Sequence, residues 1–167
     1  GGNLSIRCDN RDHVVIKPSG VGFFECSEDN LLVVALDGSI VEGSAKPSKD
    51  MPFHLGIYRV RDDVNGIVHV HSPWATAWAS TNQEIPCVTV HSRAKLGRIP
   101  VIPCGPERGN QRPEDIVDAY RDAKIRALIL EDHGSVGVGK TIMSAQHVVE
   151  LIEETAQIAA VARTLRG

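Results

Sequence analysis

Residues 67–80 read IVHVHSPWATAWAS, and the fold turns on how that run is parsed. Up to His71 it is an apolar, strand-like run interrupted by two imidazoles. Side chains alternate along a strand, so His69 and His71 share one face while Val68 and Val70 take the other. Pro73 opens PWATAWAS, and proline suits the first turn of a helix, so a helix is expected from there through Trp78. The histidine pair therefore lies at the carboxyl end of a strand, where α/β proteins collect their chemistry. Two imidazoles on one strand face are close enough to grip one ion. The same pattern also fits two core histidines satisfied by hydrogen bonds, and the rest of the chain has to separate the two readings.

Working outward, NLLVVALDGSIVEG reads as a hairpin, with Leu31–Leu36 and Ser39–Val41 joined at Asp37-Gly38. HVVIKPSG predicts a strand from His13 to Lys17 ending in a Pro-Ser-Gly turn. From Met51 the pattern becomes helical, with Met51, Leu55 and Tyr58 on one side. PCVTVHS and GRIPVIP are expected as two short strands. RPEDIVDAYRDA reads as a helix with Pro113 and two acids in its first turn. RALILEDHGSVGVG spells strand, turn and strand. A long helix then closes the chain, its apolar face traced by Ile142, Ala145, Val149, Ile152, Ala156 and Ala159. The sum is one α/β domain, residues 1–167, in which a mostly antiparallel sheet is covered by helices. GGNLSIR begins inside a patterned segment, so a leading segment is expected before it.

Bulk properties narrow the class. The chain has 167 residues, a hydrophobic content of 42%, a charged content of 23% and a net charge of -3, as a globular protein with a real core would. It has no basic block, so nucleic acid is not an expected partner. No apolar run approaches a membrane span and no signal peptide is legible, so no membrane is expected. Cys8, Cys26, Cys87 and Cys104 are widely spaced and form no Cys-x-x-Cys pair, which reads as reduced thiols of a cytoplasmic protein.

A third histidine, His133, ends the apolar strand of ALILEDHGSVGVG, with Gly134 making room behind it. Catalytic zinc sites take three protein ligands and keep a fourth position open, and His69, His71 and His133 would make that set. Taken alone, His133 also fits an ordinary turn histidine. His13, His54, His91 and His147 are weaker candidates, and His54, in helical register after a loop, reads as structural. For a proton carrier the choice falls on Asp50, at the junction of a loop with a helix amino terminus, where negative charge is favoured. A plain helix-cap aspartate would occupy the same place. Asp132 adjoins a ligand but should point away on the strand. Three turns offer small residues, hydroxyls and backbone amides to an anion. They are GGNLS (Gly2, Asn3, Ser5), KPSG (Lys17, Ser19, Gly20) and KPSK (Lys46, Ser48, Lys49).

These pieces in this order, from GGNLSIR through KPSG, EGSAKPSKDMPFHLGIY, IVHVHSPWATAWA and EDHG to the last helix, resemble the class II aldolase/adducin family. The resemblance implies a three-layer sandwich and a Zn²⁺ or other divalent ion on His69, His71 and His133. It also implies a substrate-phosphate pocket from Asn3, Ser19, Gly20, Ser48 and Lys49, with Lys17 beside it. It further implies a homotetramer with sites between subunits, acting on a phosphorylated sugar. The expected activity is reversible aldol cleavage of a ketose phosphate through a metal-bound enediolate, with Asp50 shuttling a proton or guarding the metal.

The departures are specific. The family's epimerases carry a catalytic aspartate where Arg93 stands, and its aldolases a tyrosine whose nearest match is Cys104. Lys49 replaces a second serine, while the acid at Asp50 follows the epimerase pattern. The tail that often follows the family's last helix is also not matched. An L-ribulose-5-phosphate 4-epimerase-like activity, or a decarboxylase or dehydratase on the same scaffold, is therefore carried beside the aldolase. A silent, adducin-like interaction domain predicts loss of the histidines, and all three are present.

Overall fold

The alternation around Asp37-Gly38 folds as the hairpin it spells. In a computed structural model describing residues 1–105 and 110–166, strands β3 (Leu32–Ala35) and β4 (Ile40–Glu42) pair antiparallel. Gly38 takes the positive φ of 95° that an L side chain would resist. The hairpin forms one edge of an eight-stranded sheet. Inward from it run β2 (His13–Ile16), β1 (Gly2–Arg7), β5 (Gly66–Val70), β8 (Gly134–Gly139), β7 (Ala127–Leu130) and β6 (Val101–Ile102). Among the described residues, all pairings are antiparallel except that of β6 with β7.

Strand alternation splits the interior into two cores, one on each face of the sheet. Leu128, Leu130, Ile67, Val14 and Ile16 pack with residues of helices α1 (Met51–Val60) and α4 (Pro113–Tyr120). Ala127, Ile129 and Val68 pack on the opposite face with α2 (Pro73–Ala79) and α5 (Ile142–Arg166). The result is the expected three-layer α/β sandwich around a mostly antiparallel sheet. The predicted face of α5 is the buried one, with Ala145, Val149, Ile152, Ala156 and Ala159 all nearly inaccessible. Gly137 lets that helix approach, because a Cβ there would stand 2.9 Å from the Ala145 carbonyl oxygen. No described helix is long and apolar enough to cross a membrane.

PCVTVHS is not a strand. Its second half is the helix α3 (Val90–Lys95), and Thr89 caps it. Thr89 Oγ1 accepts from the Ser92 amide at 3.0 Å, and the Thr89 amide donates back to Ser92 Oγ at 3.2 Å. This reciprocal cap satisfies two amides that a helix otherwise leaves without partners, and it outweighs the β-branched run Val88-Thr89-Val90 that suggested a strand. The run GRIPVIP does yield a strand, shortened to the two residues of β6.

Candidate active site

Cross-strand register sets the site. Asn3 on β1 lies opposite His69 on β5, and His69 lies opposite Val136 on β8. β5 ends at Val70, so His71 projects just past the strand and His133 comes from the turn between β7 and β8. Asp132 lies in that turn, with a positive φ of 55°, and is exposed. The Nε2 atoms of His71 and His133 stand 3.0 and 3.3 Å from that of His69. Two nitrogens on a tetrahedral zinc with bonds of about 2.0–2.1 Å are separated by roughly 3.3 Å, so the spacing fits one ion. Among the described residues no other group of three potential ligands converges in this way.

The chemistry of the donors fits as well. His69 Nδ1 is 2.9 Å from the Ser135 carbonyl oxygen, which can only accept, so the ring hydrogen sits on Nδ1 and the Nε2 lone pair faces the cluster. Burial, reinforced by His133, pushes the His69 imidazolium down to about 4. The same two causes lower His71. Neutral imidazole is the form a metal needs. Gly134 leaves space for the rings, since a Cβ there would meet His71 Cδ2 at 3.0 Å and His69 Cε1 at 3.2 Å.

Asp50 sits at the N-cap position of α1 but makes no capping hydrogen bond with its side chain. Its carboxylate turns instead to the site. Oδ2 accepts from Asn3 Nδ2 at 2.6 Å and lies 3.9 Å from His69 Nε2. Ser48 Oγ accepts from Asn3 Nδ2 and from the Asp50 amide, each at 3.2 Å, which leaves its own hydrogen to donate elsewhere. Asn3 is buried, and its Oδ1 meets His54 Nε2 at 2.7 Å.

The two Lys-Pro-Ser turns are tied together by the Ser19 amide, which donates to the Lys46 carbonyl at 2.9 Å. Ser19 and Gly20 are exposed, with Gly20 at a φ of 78°. Lys17 is buried and donates to the Pro18 carbonyl at 3.0 Å and to that of Val21, so its ammonium closes its own loop. Lys49 is exposed and lines a cleft of about 200 Å³ with Asp50, Phe53, Gln111 and His133. Arg93 donates to the Cys87 and Val88 carbonyls ahead of α3. Cys104 is held by Glu131, whose Oε2 accepts from the Cys104 amide at 2.6 Å.

Sequence reasoning missed the supports of these groups. Gln111 donates to the Ile102 and Glu131 carbonyls and presents Oε1 to His133 Nδ1 at 3.4 Å. Phe53 sets its ring edge-on to His69, with centroids 6.2 Å apart. A lone glutamine beyond a loop carries no periodic or spacing signal that would single it out. His54 differs, because its place one turn into a helix that starts at the candidate base was visible.

Comparison with known proteins agrees with this geometry. The chain is 37% identical to the 5-deoxy-D-ribulose 1-phosphate aldolase of Bacillus thuringiensis serovar kurstaki over 160 residues, covering 95% of this chain and 73% of that protein. It is 34% identical to an L-ribulose-5-phosphate 4-epimerase of Salmonella paratyphi C over 97% of this chain and 75% of that one. Among solved structures, an L-fuculose 1-phosphate aldolase superposes with a TM-score of 0.87 at 29% identity, over 99% of this chain and 77% of that chain. Residues 1–160 match the Class II Aldolase and Adducin N-terminal domain. The chain therefore belongs to the class II aldolase and adducin family, and it is an enzyme of the class II aldolase type.

Proposed function

We propose that the protein is a zinc-dependent aldolase that reversibly cleaves a ketose phosphate, with His69, His71 and His133 as metal ligands. The observation that carries this reading is the convergence of three Nε2 atoms at spacings of 3.0 and 3.3 Å, with the Asp50 carboxylate 3.9 Å from His69 Nε2. When bound, a divalent cation there supplies Lewis-acid stabilisation of the charge that develops as a carbon–carbon bond breaks. Asp50 takes up or returns a proton at the reacting carbon, or faces the metal until substrate arrives. Asn3 holds the carboxylate in place. The Ser48 hydroxyl, its lone pairs already engaged, donates to a phosphate oxygen. Ser19, Gly20 and Lys49 complete the anion pocket, Asn3 supports it by holding Ser48 with an amide hydrogen, and Lys17 shapes the turn that carries it. The named relatives act on sugar phosphates, which supports this substrate class. Cytoplasmic localisation and a homotetramer with sites between subunits belong to the same reading.

A 4-epimerase is the second reading, favoured by aspartate rather than glutamate at position 50 and compatible with the 34% identity to such an enzyme. The zinc-loaded protein should be screened against ketose phosphates, scoring free aldehyde and epimerised sugar separately. Stoichiometric aldehyde release supports the aldolase. Epimerised product with only traces of aldehyde supports the epimerase, and turnover of unphosphorylated sugars at equal rates removes the anion pocket.

A further inference from the structure

The polar groups behind Asp50 form one directed chain. His54 is inaccessible, and each of its ring nitrogens lies within hydrogen-bond distance of a neighbouring side chain. Its Nδ1 lies 2.7 Å from Ser5 Oγ and its Nε2 lies 2.7 Å from Asn3 Oδ1. Asn3 then offers both amide hydrogens to Asp50 Oδ2 and Ser48 Oγ. The Tyr58 hydroxyl lies 3.0 Å from both Ser5 Oγ and the Ser5 carbonyl oxygen, so its single hydrogen is shared between them.

We propose that His54 is a positioning residue: as the neutral tautomer with its hydrogen on Nε2, it decides which end of the Asn3 carboxamide faces Asp50 and Ser48. A carboxamide has one accepting and one donating end. With His54 Nε2–H donating to Oδ1, the NH₂ end must face the site. In the reverse orientation Asn3 Oδ1 would lie 2.6 Å from the Asp50 carboxylate oxygen, placing two acceptors against each other. The chain carries no proton to the site, because an amide cannot relay one. It carries orientation. Ser5 is compatible with that tautomer: with the ring hydrogen on Nε2, its hydroxyl donates to Nδ1 at 2.7 Å. Burial, which holds the imidazolium down to about 3, keeps the ring neutral at working pH. The functional consequence rests on the roles assigned above to Asp50 and Ser48.

The direct test uses the metal-free protein with ¹⁵N-labelled histidine. Long-range ¹H–¹⁵N correlation at pH 7 should show His54 as the Nε2–H tautomer, and the Asn3 side-chain amide should exchange slowly. An Nδ1–H tautomer or an imidazolium overturns the inference. Neither readout needs metal or substrate, so they stand apart from the proposed reaction. His54→Leu should expose the Asn3 amide to exchange and lower turnover on a ketose phosphate cleaved by the wild type by roughly 10–100-fold. His54→Gln, which still presents N–H to Asn3, should recover most of both losses. Unchanged Asn3 exchange and turnover in His54→Leu would overturn the inference. If that variant fails to fold, the wild-type tautomer decides.

Discussion

The two faces of the sheet are built on opposite plans. Under α5 the contact is aliphatic and close: Ala145, Val149, Ile152, Ala156 and Ala159 press on β8 and β5. Among the described residues, the hydroxyls of Thr76 and Thr155 on that side are buried without a hydrogen-bond partner, as are Arg7 Nε and Nη1 on the other. Under α1 the face of β1 reads Asn3, Ser5, Arg7, and all three are buried while Ile6 points to solvent. There His54, Tyr58, Asn3 and Ser5 are joined by short hydrogen bonds that end at Asp50. A buried polar group without a partner costs on the order of 1–3 kcal/mol, so a connected run of this kind exists only where the fold completes it. One face holds the sheet to its longest helix, and the other sets a carboxylate 3.9 Å from His69 Nε2, beside the three-histidine cluster.

Substitutions on each side should therefore fail differently. His69→Ala removes one of three ligands and should weaken zinc binding on the order of 10³-fold, read by competition with a chromophoric chelator. Unchanged affinity would mean that the cluster is not the binding site. Asp50→Asn keeps the shape and removes the charge, so zinc should still bind while turnover falls by roughly 10²–10⁴-fold. Ile152→Ala on the α5 face should do the reverse. It should cost about 3 kcal/mol of stability in urea unfolding and leave zinc affinity unchanged. A loss of zinc binding there would blur the contrast between the faces.

The smallest effect is a pH dependence. His54 has a folded value near 3 against an ordinary 6.5, so the unfolded chain binds the extra proton between those limits. Stability contributed by neutral His54 is complete above pH 6.5 and is lost as pH falls toward 3. Between pH 6.5 and 5 the metal-free wild type should lose up to about 2 kcal/mol more than His54→Gln. His69 and His71 titrate in both proteins, so the difference reports His54 together with its coupling to His69. Equal slopes would show that His54 is not held neutral by the fold.

Local pattern carried most of the fold. The Asp37-Gly38 hairpin, the helix starting at Met51 and the long final helix are written in turn residues and periodicity. The segment at Val88–Ser92 was misread because β-branched residues suggest a strand, whereas a side-chain cap between Thr89 and Ser92 decides the structure. His69, His71 and His133 were legible because strand alternation and strand ends can be counted. Asp50 was visible as a candidate, but only the absence of a capping hydrogen bond separates it from an ordinary cap. Gln111 and the orienting role of His54 depend on contacts across 22 and 51 positions of the chain, which no local pattern encodes.

The central claim is a three-histidine metal centre, and X-ray absorption of the zinc-loaded protein tests it most directly. The account predicts three imidazole nitrogens at about 2.0–2.1 Å with remaining shells of oxygen, and loss of one imidazole in His133→Ala. A sulfur shell at about 2.3 Å, or an unchanged imidazole count in that variant, would contradict it.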